Sequence, residues 1–304
     1  ADIADGKMYG RGTSDMKGSD CAMITAAARY AEKTGKDFAG KICVSCTVHE
    51  ECFEGVSSRE ITRLAKPDFV IIGEATTTTV KRGQRGRAEV VVETEGVSCH
   101  SSNPEKGVNA VYEMMAVIEE IRKIVPNEHP LLGKGILELT DIISKPYPGA
   151  SVVPSLCRAP FARRTLVGED EGVILGQVNE AIARAQEKHP GLKARCYLAE
   201  GEEKCWTGET IRAKRYFPAW VVDEDSELVQ GAMKGLKDAG IEAKLSHFAF
   251  CTNGSSFCGE AGIPCIGYGP SLESLAHVRD EYIEIDQLTK ACKGFECILA
   301  QLTK

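Results

Sequence analysis

The hydrophobic positions in the first third of the chain change repeatedly between helical and strand-like spacing. An alanine-rich stretch without proline over 19–35 predicts a helix. The β-branched run 41–48 and the apolar run 68–72 predict two strands, and a short helix is predicted between them over 57–64. Strand, helix and strand in this order predict a parallel α/β layer, in which ligands gather at the carboxyl ends of the strands.

The middle of the chain has a different order of elements. The pattern predicts strand, helix, two strands, helix and strand, over 88–94, 107–125, 136–143, 156–166, 170–188 and 193–199. This β-α-β-β-α-β order is the ferredoxin-like arrangement. We therefore expect an inserted α+β domain over 86–199, within a first domain made of 1–85 and 200–304.

The last third of the chain returns to the first pattern. It predicts a helix over 225–239, strands near 244–250 and 264–268, and a closing amphipathic helix from Asp286. The predicted fold class is α/β, with the inserted α+β domain as a separate body.

Composition and charge limit the possible functions. The 304 residues are 43% hydrophobic and 27% charged, with a formal net charge of −7 and a pI near 5.6, which is typical of a globular protein. Binding to nucleic acid or to an acidic membrane requires clustered lysine and arginine, so small-molecule or peptide chemistry is expected instead. Because no leader and no 18-residue apolar run occur, we expect neither export nor membrane spanning.

The thirteen cysteines are scattered and odd in number. Several lie in apolar patterns, among them Cys43, Cys196, Cys265 and Cys292. We therefore expect buried thiols in a reducing cytoplasm. Cys43 and Cys46 form a C-x-x-C, but in an alternating strand they face opposite sides, so a shared metal or disulfide is not expected.

Four residues whose side chains commonly bind metal ions occur in an ordered series along the chain. They are Asp15 in the glycine-rich stretch 8–18, Glu51 of the pair 50–51, Glu74 after the strand 68–72, and His277. Two neighbouring divalent ions need a bridging carboxylate, further acidic groups and about one imidazole each, and such a pair activates water and polarises a carbonyl. Glu50, beside a ligand, has the place of the general base.

These motifs resemble the M20 family of metallopeptidases and deacylases, relatives of acetylornithine deacetylase, succinyl-diaminopimelate desuccinylase and glutamate carboxypeptidase. Within that family the chain is most similar to the hydrolase branch linked to selenium metabolism. Residues 7–18 match K-x-Y-G-R-G-x-x-D-x-K-G, 50–51 match E-E, and Glu74 matches G-E-x-T. The stretch ending at 110 matches H-x-x-x-P-x-x-G-x-N-A, and 267–281 match G-x-G-P with H-x-x-x-E.

The resemblance implies a fold, a reaction and a set of residues. It implies a three-layer zinc-peptidase-like catalytic domain with a ferredoxin-like lid, a homodimer formed through the lid, and hydrolysis of an amide, peptide or carbamoyl bond in a small carboxylate-bearing substrate. Two divalent ions are implied, with zinc expected first and manganese or cobalt as alternatives. Asp15 would bridge them, Glu51 and His277 would complete one site, and Glu74 would serve the other.

The resemblance also implies roles outside the metal ligands. His100 matches the lid histidine that stabilises the oxyanion in the partner's active site. Arg164, with Arg163 as an equal candidate, lies near the lid arginine that binds a substrate carboxylate. The loop Asn253, Gly254 and Ser255 is similar to one that presents backbone donors to the substrate.

One family motif is not found. The expected H-x-D would precede residue 7, and none of the six histidines stands in such a motif. With only Asp15 and Glu74, the second metal site is expected to be weakly occupied. The alternative to an active hydrolase is therefore a catalytically silent or truncated M20-like dimer.

Overall fold

The structure is a computed structural model that describes residues 2–304. Six helices, α1 to α6, cover Lys17–Lys33, Ser58–Ala65, Ala110–Ile121, Glu171–Lys188, Glu227–Asp238 and Ile285–Leu302. Strands β1 to β9 cover Asp2–Ala4, Lys7–Tyr9, Val70–Ile72, Val80–Gln84, Gly86–Glu95, Glu128–His129, Gly133–Lys134, Ile136–Leu139 and Ile143–Lys145. Strands β10 to β18 cover Leu156–Thr165, Lys193–Leu198, Glu200–Lys204, Thr210–Lys214, Tyr216–Phe217, Trp220–Val221, Leu245–Phe248, Cys265–Gly267 and Tyr282–Glu284.

The chain divides into two compact units. The first unit runs up to Gln84 and resumes from Trp220 to Lys304, and the inserted unit runs from Arg85 to Ala219. The structure thus places the second boundary at Ala219, downstream of the predicted residue 199. The cause is the β12–β13 hairpin and β14, which pairs with β5, so this segment stays with the inserted unit.

The first unit contains a mixed sheet with the order β15-β4-β17-β3, and β16 pairs β4. The pairs β3–β17 and β4–β16 are parallel, but β4 pairs antiparallel with β15 and β17, so the sheet is mixed rather than the expected parallel layer. Apolar faces of α1, α5 and α6 cover this sheet, with Ala26, Leu236 and Ile298 fully buried. A smaller antiparallel sheet has the order β1-β2-β18.

The predicted strand over 41–48 is wrong. Residues 41–47 have no regular structure, and Val44 and Val48 are 38% and 49% exposed. Within residues 2–304 the segment has no strand partner, and β3 pairs on one side only, with β17. A strand needs a neighbour for its N–H and C=O groups, so a strand-like sequence alone does not form one.

The inserted unit has the predicted ferredoxin-like order. Its sheet runs β11-β5-β10-β8, with β9 pairing β10 and β14 pairing β5. The predicted strand over 136–143 is two short strands, β8 and β9, that pair with opposite ends of β10. Helices α3 and α4 pack on the sheet around Val90, Val117, Phe161 and Val178, which are all buried. The mixed α/β fold class is therefore confirmed.

Two further expectations concern the burial of the cysteines and the absence of a membrane-spanning segment. All thirteen cysteines are free. Cys157, Cys251 and Cys265 are buried, but Cys43 and Cys46 are exposed. The expectation of a buried Cys43 is wrong because its segment is not a strand. Across residues 2–304, helices are either too short or too polar to span a bilayer.

Candidate metal centre and active site

Three of the predicted ligands meet at one point in the first unit. Asp15, Glu51 and His277 each offer one ligand atom, and the three atoms lie within 4.8 Å of one another. The Nε2 atom of His277 is 3.0 Å from Asp15 Oδ2 and 3.0 Å from Glu51 Oε2. Residues far apart in the sequence thus form a three-donor cluster.

Each ligand is carried by a loop rather than by a regular element. Asp15 lies in the turn between β2 and α1, and Glu51 lies in the turn after 41–47. His277 follows the 3₁₀ turn Glu273–Leu275 and adopts φ of 60°. A non-glycine residue in this left-handed region is uncommon, and such conformations are concentrated at functional sites.

Glu50 and Glu74 are the acids next to this cluster. Burial, followed by repulsion from Glu74 and other carboxylates, raises the pKa of Glu50 to about 9. Burial, followed by repulsion from Asp15 and Glu51, raises the pKa of Glu74 to about 8. Glu74 lies two residues after the end of β3 and is 7% exposed, as the sequence predicts for an acid at a strand end. It is outside the three-donor cluster.

The donor set fits a divalent cation. Carboxylate oxygens and imidazole nitrogens are both ligands of divalent zinc, and catalytic zinc sites use three protein ligands and keep an open position. Burial and the charge of Glu51 raise the pKa of Asp15. Attraction to Glu51, and then to Asp15, raises the pKa of His277. These shifts show negative charge concentrated at the ligand atoms, which a cation would neutralise.

A cavity of about 790 Å³ in the first unit opens onto the acids. Asp15, Glu50, Glu51 and Glu74 line it. Its other walls come from the irregular segment 39–47, from β3 and from apolar side chains, including Ile71, Phe295 and Leu299. The carboxylates are therefore reachable from a space large enough for a small molecule.

The loop Asn253, Gly254 and Ser255 differs from the expectation that it presents free backbone donors. The N–H of Gly254 donates to Thr252 Oγ1, and the N–H of Ser255 donates to the carbonyl of Thr252. Both donors are thus already engaged within the loop. A Cβ on Gly254 would lie 2.5 Å from Trp220 Nε1, so close packing explains this glycine.

Asn253 is the member of this loop that reaches the cavity. Its Nδ2 donates to Thr47 Oγ1 at 3.0 Å, and its Oδ1 is buried without a hydrogen-bond partner in the described part of the chain. Ser255 is fully buried, and its Oγ accepts from Gln84 Nε2 at 2.9 Å. An unsatisfied buried acceptor beside a cavity is suited to a ligand donor.

The structure distinguishes the two candidate arginines. Arg163 is 1% exposed, and its Nη2 donates to Glu169 Oε1 at 2.8 Å, so this arginine is held inside the inserted unit. Arg164 is the next residue on β10 and points to the opposite face, where it is half-buried. Arg164 is thus the arginine of the pair that a ligand can reach.

His100 is exposed in the inserted unit and oriented by its neighbour. Its Nδ1 accepts from the backbone N–H of Ser102 at 3.1 Å and lies 2.7 Å from Ser102 Oγ. A backbone N–H only donates, so Nδ1 of the neutral ring is the acceptor and Nε2 carries the hydrogen. The exposed side chain of His100 is therefore set up as a hydrogen-bond donor through Nε2.

Two acids near the cluster had no predicted role. Asp20, one turn into α1, raises the pKa of Glu74 and contacts Cys46. Glu281 is 2% exposed and accepts from the N–H groups of Ser14 and Asp15. The motif ending at 281 contains Glu281, but a sequence pattern does not show what a side chain contacts.

Fold and cluster together are typical of metal-dependent hydrolases. The sequence model of Peptidase family M20/M25/M40 matches residues 1–301. The chain belongs to this family, as its motifs indicate, and is an M20-type hydrolase. "Uncharacterized protein YgeY" of Escherichia coli K12 is 32% identical over 277 residues, which cover 90% of this chain and 67% of YgeY.

Two solved structures share the fold. Aminopeptidase PepT from Bacillus cereus ATCC 10987 superposes with a TM-score of 0.76 at 18% identity, covering 100% of this chain and 76% of PepT. The M20 family metallo-carboxypeptidase Sso-CP2 from Sulfolobus solfataricus has a TM-score of 0.66 at 16% identity, covering 98% of this chain and 78% of that one. At these identities the likeness shows the fold alone.

Proposed function

We propose that this protein hydrolyses an amide, peptide or carbamoyl bond in a small substrate that carries a carboxylate. The observation that carries the proposal is the convergence of Asp15, Glu51 and His277 within 4.8 Å. Glu50 adjoins this cluster in sequence, and a cavity of about 790 Å³ opens onto it. Among the structural neighbours, PepT is an aminopeptidase and a protein from Staphylococcus aureus is a tripeptidase, which agrees with this substrate class.

We propose two divalent ions, with zinc first and manganese or cobalt as alternatives. Asp15, Glu51 and His277 would hold one ion, and Asp15 with Glu74 would hold the other. When bound, such ions supply Lewis acidity and a water molecule of lowered pKa. The acids that repel one another without a cation are the groups whose charge an ion would balance.

Glu50 is proposed as the general base. It is half-buried at the cavity wall and is adjacent in sequence to the ligand Glu51. Its raised pKa, about 9 in the absence of a cation, shows a carboxyl that readily holds a proton. A carboxyl of this kind can take a proton from water and pass it to the leaving nitrogen.

The inserted unit is proposed to contribute to substrate binding and to dimer formation. His100 would donate from Nε2 to the developing oxyanion in the partner's active site, and Arg164 would pair with the substrate carboxylate. On α3 and just before it, Val108, Tyr112 and Met115 are 41%, 69% and 54% exposed at spacings of four and three residues. Such an apolar stripe on a helix is suited to a second copy of the chain.

The test is the variant Glu50→Gln with Glu60→Gln, an exposed acid on α2, as its control. Dipeptides, N-acyl amino acids and N-carbamoyl amino acids serve as substrates, with bound metal measured alongside. We expect Glu50→Gln to lose about 10²- to 10⁴-fold in turnover while retaining metal. Unchanged turnover would remove Glu50 from the reaction. A wild-type chain that binds no metal and cleaves none of these substrates would favour the silent protein.

A further inference from the structure

Glu281 lies at the centre of the loop that carries Asp15. Its side chain is 1% exposed. Its Oε1 accepts from the N–H of Ser14 at 2.8 Å and of Asp15 at 3.0 Å. Its Oε2 accepts from the N–H of Gly12 at 3.0 Å and from Arg11 Nη1 at 2.6 Å. Four donors from one short loop therefore surround a single buried carboxylate, which is an unusually complete set of acceptor contacts.

The same contacts join two parts of the metal centre. Arg11 Nη2 also donates to the carbonyl of Val278, the residue after His277, at 2.8 Å. The N–H of Gly10 donates to the carbonyl of Glu281 at 3.0 Å, and Ser14 Oγ donates to the carbonyl of Tyr282 at 2.6 Å. Hydrogen bonds thus join the loop 10–15 to the segment 277–282 at residues before and after Glu281.

We propose that Glu281 is a positioning residue of the metal centre, which fixes the backbone of Asp15 relative to His277. The proposal rests on the proposed metal-dependent function. Asp15 and His277 come from loops, and ligand atoms held by loops need support from surrounding hydrogen bonds to keep their geometry. Glu281 supplies this support from four residues beyond His277 without itself reaching the ligand cluster.

A carboxylate of the same type in the inserted unit provides a matched control. Glu169 is also buried, and it accepts from Arg163 Nη2, from the N–H of Leu166 and from Asn127 Nδ2. The variants Glu281→Gln and Glu169→Gln therefore remove the same charge from similar surroundings. Both are expected to lower stability, but they should differ at the metal centre.

Two measurements separate positioning from general stability. The first is hydrogen exchange of the Gly12, Ser14 and Asp15 amides in metal-free protein, which Glu281→Gln should accelerate by about tenfold or more. The second is titration with Zn²⁺, in which Glu281→Gln should weaken binding by about tenfold or more, within the usual range for support residues. Glu169→Gln should leave both values at the wild-type level.

The proposal is overturned if folded Glu281→Gln protein shows wild-type exchange at these amides and wild-type zinc affinity. If Glu281→Gln does not fold, Arg11→Ala replaces it, since the Arg11 side chain is 63% exposed. That variant removes one of the four donors and should accelerate exchange at Gly12 by about threefold, and no change would equally overturn the proposal. Wild-type protein that binds no zinc contradicts the metal-dependent function, while the amide exchange still tests the positioning role.

Discussion

The buried carboxylates of the two units have opposite electrostatic surroundings. In the inserted unit, each buried acid with a resolved pKa shift faces cations. Glu120 is contacted by Lys123, Lys188 and Arg184. Hydrogen bonds from Lys123 and Lys188 lower the pKa of Glu120 to about 2. Buried Glu169 is paired with Arg163. The negative charge of each of these acids is balanced by neighbouring lysine or arginine side chains.

In the first unit the acids face one another. Burial and neighbouring carboxylates raise the pKa values of Asp15, Glu50 and Glu74. The charges that act on Glu74 are all carboxylates: Asp15, Glu51 and Asp20. Within residues 2–304, His277 is the one cationic group that acts on Asp15. This arrangement is unfavourable without a cation, and folded proteins retain such conflicts mainly at functional sites.

Glu281 is the exception within the first unit. Its burial would raise its pKa, but the N–H groups of Gly12, Asp15 and Ser14 hold the pKa below its usual range. The loop that carries Asp15 is thus bound to the buried carboxylate of Glu281, which accepts four hydrogen bonds from it. The ligand carboxylates repel one another, and the hydrogen bonds to Glu281 hold the backbone next to them. A preorganised metal site needs such support for its ligands.

The largest expected effect comes from breaking a pair in the inserted unit. Arg163→Ala leaves Glu169 buried without its guanidinium, which should cost about 3–5 kcal/mol of unfolding free energy. Urea unfolding followed by circular dichroism measures this loss. Arg158→Ala, an exposed position on the same strand, is the control and should cost less than about 1 kcal/mol. Similar losses from both variants would contradict the distinct role of the buried pair.

Removing the charge of an acid in the first unit should raise the stability of the metal-free protein instead of lowering it. Glu74→Gln removes a carboxylate that repels Asp15 and Glu51, so metal-free protein should gain about 1–3 kcal/mol at pH 8. The melting temperature with and without EDTA measures this gain. The same variant should weaken zinc binding, so metal should stabilise it less than wild type. Destabilised metal-free Glu74→Gln protein would show that the carboxylate is already satisfied by the fold.

The pH dependence follows from the same raised pKa values. Glu50 and Glu74 have pKa values of about 9 and about 8 when folded, above the ordinary value of 4.5. At pH values between the ordinary pKa and the raised pKa of each group, the folded protein binds more protons than the unfolded chain. Unfolding then releases protons, so stability falls as pH rises. Metal-free protein should therefore melt at progressively lower temperature from pH 5 to pH 9.

The variant Glu50→Gln tests which groups cause the melting temperature to fall with pH. The variant should flatten the fall in melting temperature between pH 5 and pH 9, because one of the two groups no longer titrates. Zinc should flatten it in the wild type as well, if the acids bind the ion. A wild-type slope in metal-free Glu50→Gln protein would assign the pH dependence to other groups.

The inserted unit shows how far the sequence predicts the fold. Its order of elements is confirmed, because Val90 and Phe161 lie on strands that find neighbours within the same unit. In the first unit, 41–48 has an equally strong strand pattern but no partner, and β4 with its partner β15 was not predicted. Local pattern gives the capacity to form a strand, and pairing decides whether it forms.

The site was predicted in part. Asp15, Glu51 and His277 meet because ordered motifs carried positional information over more than 260 residues. The occupied donors of Gly254 and Ser255 and the choice between Arg163 and Arg164 depend on side-chain packing. Adjacent residues on a strand face opposite sides, so only the sheet's burial shows which arginine is enclosed.

The smallest expected effect concerns the one proposed catalytic side chain of the inserted unit. Ser102→Ala removes the hydroxyl contact to His100 Nδ1 but keeps the backbone N–H bond, so the ring should retain hydrogen on Nε2. Losing one hydrogen bond of about 0.5–1.5 kcal/mol should lower kcat by about two- to tenfold with little change in KM. Ser101→Ala, the exposed neighbour, should leave kcat unchanged. ¹⁵N shifts of the His100 ring report the tautomer, and a loss of kcat beyond a hundredfold would mean that Ser102 acts directly on the substrate.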